Sequence, residues 1–102
     1  MSERRDFPLG DILAVVHNKP FGPGHMGGVY AVMEFILGPN VAFGLDLTEA
    51  RMVATGRILE QHSDLRAAVL PRHGLNSEAE ASAWVAEQVD RFGAYRTLTF
   101  EG

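Results

Sequence analysis

There is no cysteine in this chain of 102 residues. That excludes disulfides, thiolate metal ligands and a cysteine nucleophile, and it fits a reducing compartment. Positive charge is scarce too: nine Lys and Arg stand against thirteen Asp and Glu, for a net charge of -4. No basic stripe is available to track a phosphate backbone, so direct nucleic-acid binding is not expected. Long apolar runs are also missing. Nothing approaches the roughly 18 residues that suggest a bilayer span, and the charged opening MSERRDF leads into no signal-peptide core. These absences point to a soluble chain in the cytoplasm, with no membrane partner.

What is present is enough for a core. The length is that of one domain, and the 46% apolar content is that of an ordinary globular protein. Charge is spread unevenly. The final third carries Arg91 and Arg96 against Glu78, Glu80, Glu87, Asp90 and Glu101. A solvated helix face explains that balance first, and a surface for a basic partner second.

The stretch from Phe7 to Gly38 organises the rest. Between Lys19 and Asp46, Glu34 is the only acid or base of ordinary strength, and His25 the only other group that titrates near neutrality. So apolar a segment supplies core or a partner surface. Residues 1–6 read as a flexible polar leader, and 7–102 as a single globular domain. Ile12 to Val16 read as a short helix, with Asp11 as its N-cap. The sequence NKPFGPG from Asn18 forces a loop. From His25 to Leu37 a helical stripe is predicted through Met26, Val29, Tyr30, Met33, Ile36 and Leu37, closed by Gly38. Gly27 and Gly28 weaken its first turn but permit close backbone packing. Val41 to Phe43 suggest a short extended piece.

Two capping boxes follow. Asp46 with Glu49 opens a helix to about Gln61, with Leu47, Ala50, Ala54 and Ile58 on one face. Ser63 or Asp64 is placed to cap a further turn, and Pro71–Gly74 to form a loop. Ser77 with Glu80 opens the clearest helix, striped by Ala81, Trp84, Val85, Gln88, Val89 and Phe92 and closed by Gly93. Tyr95 to Glu101 alternate as a half-buried strand. The fold class is therefore α+β: a compact, mainly helical domain with a small sheet that includes the C-terminal strand.

Leu9-Gly-Asp-Ile-Leu13, the loop into His25-Met-Gly-Gly-Val-Tyr30, the helix end at Gly38, and Trp84-Val-Ala-Glu-Gln-Val89 with Arg91-Phe92-Gly93 resemble a family of short phage and prophage proteins of unknown function. The resemblance covers most of the chain. It implies no activity, cofactor or catalytic residue, only the context of a small accessory protein that binds a host or phage protein.

The residues themselves offer little chemistry. His17, His25, His62 and His73 form no HxH, HxxxH or HExxH spacing, although His17 and His25 flank the loop and could converge with Glu34 or Asp46. Gly22, Gly24, Gly27 and Gly28 resemble an anion cradle but lack the ending of a P-loop. None of Ser2, Ser63, Ser77 and Ser82 lies in a GxSxG elbow. No catalytic residue, metal or cofactor is assigned. The binding candidates are Lys19, Phe21, His25, Tyr30, Phe35 and Phe43. The leading reading is a non-catalytic accessory protein that binds a host or phage protein, as an inhibitor of a host defence or nucleic-acid-handling complex. Against it stand a small enzyme or ligand-binding domain around loop 17–28, with His17, Lys19, His25 and Glu34, and a homo-oligomeric structural protein. For a homodimer, Tyr30, Val32 and Phe35 of helix 25–37, with neighbouring Phe43, would be the exposed patch.

Overall fold

In the computed structural model, which describes residues 2–19, 25–38, 44 and 46–101, the first and last elements pair with each other. Strand β1 (Ser2–Pro8) and strand β2 (Tyr95–Glu101) run antiparallel, from Ser2 opposite Glu101 to Pro8 opposite Tyr95. Between them come helices α1 (Leu9–His17), α2 (His25–Leu37) and α3 (Leu47–Gln61), a 3-10 turn (Ser63–Ala67), and α4 (Glu78–Phe92). The molecule is a compact α+β domain, mainly helical, whose small sheet includes the C-terminal strand.

Residues 2–6, expected as a flexible leader, are strand instead. Their period is hard to read because Phe7 is the only strongly apolar residue on the side facing the helices. The ladder to β2 holds the strand, not its own apolar content. The expected helix after Pro8 is present, but Asp11 does not cap it. Pro8 precedes the first turn, and Asp11 lies buried inside that turn.

The centre of the molecule is α1, which lies within the organising stretch Phe7–Gly38. Leu9, Ile12, Leu13, Ala14 and Val15 have no solvent exposure, and α1 touches β1, α2, α3 and α4. A five-residue apolar run is too short to show a helix buried on all sides. The α2 stripe is rotated from the predicted one. Val29, Val32, Met33, Ile36 and Leu37 are buried, whereas Met26 and Tyr30 are 40% and 49% exposed. Gly38 ends α2 with φ +83°.

The capping boxes behave as their spacing requires. Asp46 accepts from the Glu49 amide at 2.8 Å, and Ser77 from the Glu80 amide at 3.1 Å. Ala50, Ala54 and Ile58 of α3 are buried, but Leu47 is not. The 3-10 turn forms without a cap from Ser63 or Asp64; His62 occupies the cap position. Trp84, on the predicted stripe, is buried against α1: its ring meets His17 edge-on, with centroids 5.4 Å apart. The extended piece expected at Val41–Phe43 lies outside the described residues.

Arginines finish three of the helices. Carbonyl groups in a last turn have no partner within the helix, and the dipole there favours a cation. Arg51 of α3 donates to the Val15 and Val16 carbonyls of α1 at 3.3 and 3.4 Å. Arg57 donates to Ile36 O at 2.9 Å, and Arg96 to Phe92 O at 2.9 Å. At α1 itself, Asn18 adopts the left-handed conformation. Its amide donates to Val15 O and that of Lys19 to Ala14 O, which is the Schellman arrangement. Among the described residues no helix is long and apolar enough to cross a membrane.

Candidate functional site

A two-stranded sheet has two outer edges, and this one treats them differently. The outer edge of β2 is closed by the end of α3. The Gln61 side-chain amide donates to Thr99 O at 2.7 Å and its carbonyl accepts from Thr99 N at 2.8 Å. His62 Nε2–H donates to Thr97 O at 2.6 Å. That bond fixes the tautomer, so Nδ1 is left to accept from Arg96 Nη1 at 3.3 Å. Arg96 also grips Asp64 with two bonds, 3.1 and 2.8 Å long. Its donation holds the Asp64 carboxyl below the usual carboxylate range.

The same bonds define the other edge. Thr97 and Thr99 turn their backbone groups away from β1. In an antiparallel ladder their partners, Asp6 and Arg4, must turn theirs away from β2. Among the described residues nothing bonds those outward amides and carbonyls of β1. Glu3, Arg4, Arg5 and Asp6 are all exposed. The edge therefore presents unpaired backbone donors and acceptors flanked by charges of both signs. Asp6 also accepts from the Thr97 hydroxyl across the strands.

An open groove runs along the helix side of this edge. Glu3 and Arg5 of β1 line one wall, and Ala31, Glu34 and Phe35 of α2 the other, with Phe100 in the floor. Phe35 is half-buried, its ring edge-on to Phe7 at 5.4 Å. Arg5 lies over the Phe7 ring at 4.8 Å, an arrangement that lets an exposed cation rest on an aromatic face.

A larger open groove, of about 700 Å³, is lined by Arg4, Arg57, Glu60, His62 and Thr97, among others. Its size suits a small molecule, but its chemistry does not favour an anion. Arg57 is already bonded to Ile36 O, Glu60 opposes the two arginines, and the negative end of the α3 dipole faces the space.

The residues singled out in the sequence are dispersed. Lys19 is exposed and lines a small recess with Asn18, Met26, Leu47 and Arg51. Tyr30 is exposed on α2, and Phe35 belongs to the groove beside β1. His25 begins α2, whereas Phe21 and Phe43 lie outside the described residues. Val32, weighed as part of a dimer patch, is core. His17 is held at Ala68: its Nε2–H donates to Ala68 O at 2.8 Å, while Trp84 Nε1–H donates to the next carbonyl, Val69 O, at 3.2 Å. Burial pushes the His17 pKa below its usual value, against the opposing effect of the Ala68 bond. Glu34 faces the β1 groove. His17, Lys19 and Glu34 therefore occupy three separate places. Among the described residues no three His, Asp or Glu side chains gather as a metal would require.

No known family, curated protein or solved structure matches this chain. The site therefore rests on its own geometry. Sequence reading missed the β1 edge because four consecutive charged residues look like a leader. The available signal was weak: Glu3, Arg5 and Phe7 alternate with Arg4, Asp6 and Pro8, and the C-terminal strand needed a partner.

Proposed function

We propose that this chain is a small non-catalytic accessory protein of the phage or prophage type, which acts in the cytoplasm of a host cell by binding another protein. A component of a host defence or nucleic-acid-handling complex, inhibited by this binding, is the target class the reading favours. The observation that carries it is the uncovered β1 edge beside the groove lined by Phe35. Strand addition uses such an edge: main-chain bonds supply affinity, and side-chain recesses supply selectivity. The closed edge of β2 sharpens the point, because the same small sheet guards one side with Gln61 and His62 and leaves the other available.

The test is capture from host lysate, with the mass of the eluted complex measured by size exclusion, for the native chain and Arg4→Pro. Proline at position 4 removes an outward amide and leaves the ladder to β2 in place, a position where strands tolerate it. The native chain should retain a partner that a folded Arg4→Pro variant does not. Equal retention by both would remove the β1 edge from the binding surface.

A further inference from the structure

We infer that the β1 edge of the free protein is occupied by a second copy of this chain, paired β1 to β1 antiparallel about a two-fold axis at Arg5, with Arg4 of each protomer opposite Asp6 of its partner. This rests on the reading of the β1 edge as a protein-binding surface and names an occupant for it. A two-fold interface needs only one self-complementary surface, and β1 has the charge order for one.

The outward backbone groups belong to Arg4 and Asp6, with Ser2 and Pro8 at the ends. When two such strands meet about a two-fold axis, only outward residues can exchange backbone bonds with one another. With the axis at Arg5, Arg4 faces Asp6 twice, and all seven residues of β1 find a partner. Sliding by one step of the ladder places Arg4 opposite Arg4, or Asp6 opposite Asp6, at the axis itself. Opposite charges in directly facing positions stabilise a strand pair, and like charges destabilise it. The symmetric register with unlike charges in the hydrogen-bonded positions is therefore the one centred on Arg5.

The axis also brings Arg5 opposite Arg5 on the helix side, and the structure holds an answer to that repulsion. Glu3 and Glu34 line the same groove as Arg5. Doubled by symmetry, the grooves set four carboxylates around two guanidinium groups. Each guanidinium is moreover drawn over its own Phe7 ring. The axis stands perpendicular to the sheet, so α2 of both protomers lies on one side of a four-stranded sheet, and the two grooves close on each other. This seam differs from the α2 patch that the sequence suggested, where Val32 is core.

Sedimentation equilibrium at up to about 100 μM tests the pairing, with the native chain expected as a dimer. Asp6→Arg alone, or Arg4→Asp alone, should weaken the dimer by about tenfold or more, from two lost cross-strand pairs and new repulsion. The double variant Arg4→Asp/Asp6→Arg should recover it, because residue 4 still faces residue 6 with opposite charge. Any effect of losing the Asp6–Thr97 bond is common to Asp6→Arg and the double variant and absent from Arg4→Asp. The register is read separately by disulfide trapping, which the absence of native cysteine makes clean. Directly facing residues of this kind have Cβ atoms about 4.5–5.5 Å apart, close enough for a bond after slight adjustment. Arg5→Cys should cross-link to itself readily, and Arg4→Cys and Asp6→Cys should not. A native chain that stays monomeric, a double variant that fails to recover, or faster trapping at position 4 or 6 than at position 5 would each overturn the pairing. A monomer that still captures a partner through Arg4-dependent binding would leave the protein-binding reading standing and assign the edge to a heterologous strand.

Discussion

Gly27 and Gly28 are neighbours in the first turn of α2, yet alanine should act on them in opposite directions. In both places alanine gains up to about 1 kcal/mol of helix propensity over glycine. At Gly27 a Cβ meets nothing within 4 Å, so the gain should survive. At Gly28 a Cβ would lie 2.5 Å from Asp11 Cγ and Oδ1 and 2.7 Å from Oδ2. Asp11 is buried on the most enclosed helix and has an interaction of its own there, so its short side chain cannot swing aside freely. Overpacking of this kind costs about 1–3 kcal/mol, and pulling a buried polar group from its partners about 1–3 kcal/mol more. After the propensity gain, Gly28→Ala should be about 1–5 kcal/mol less stable than the native chain. One kcal/mol moves the Tm of a domain this size by about 4–8 °C. Thermal unfolding followed by far-UV circular dichroism should therefore show Gly27→Ala melting a few degrees higher and Gly28→Ala markedly lower. Equal shifts in one direction would refute the close contact between α1 and the start of α2.

Other expectations are equally direct. Trp84→Ala should cost about 3–5 kcal/mol, because Trp84 is buried against His17 and donates to Val69 O; a urea titration with an unchanged midpoint would place this ring outside the core. His17 has a lowered pKa in the fold, caused first by burial, so the unfolded chain takes up a proton first as pH falls. Its contribution is fully present above about pH 7 and is lost as pH drops through about 6.5 toward the lowered value; His17→Gln should flatten that part of the Tm curve, and an unchanged slope would locate the dependence elsewhere. Gln61→Ala should cost about 1–3 kcal/mol from its two bonds to Thr99 and expose the β2 edge, so chemical denaturation should show a lower midpoint; an unaltered one would mean that water replaces the amide at no cost.

Local chemistry was legible wherever it was self-contained. Asp46 and Ser77 cap because the side chain and the amide it meets lie three residues apart, and Gly38 ends α2 because only a left-handed residue fits there. The strand at Tyr95–Glu101 could be read from its own alternation. What needed a distant partner could not be read. β1 carries four charged residues in succession and is a strand only because β2 lies beside it. α1 is central because four elements cover it, which a five-residue apolar run does not reveal. Arg51, Arg57 and Arg96 complete the ends of helices that adjoin them only after folding. Of the candidate site, Phe35 and Glu34 were named from sequence, each for a different surface.

Amide hydrogen exchange resolved to single residues tests the central claim most directly. In the monomer, reached by dilution until the dimer dissociates, the Arg4 and Asp6 amides, which point outward, should exchange quickly, while those of Arg5 and Phe7, paired toward β2, are protected. In the assembly formed with its protein partner, Arg4 and Asp6 should become protected to match them. Continued fast exchange at Arg4 and Asp6 in that assembly would contradict binding through the β1 edge.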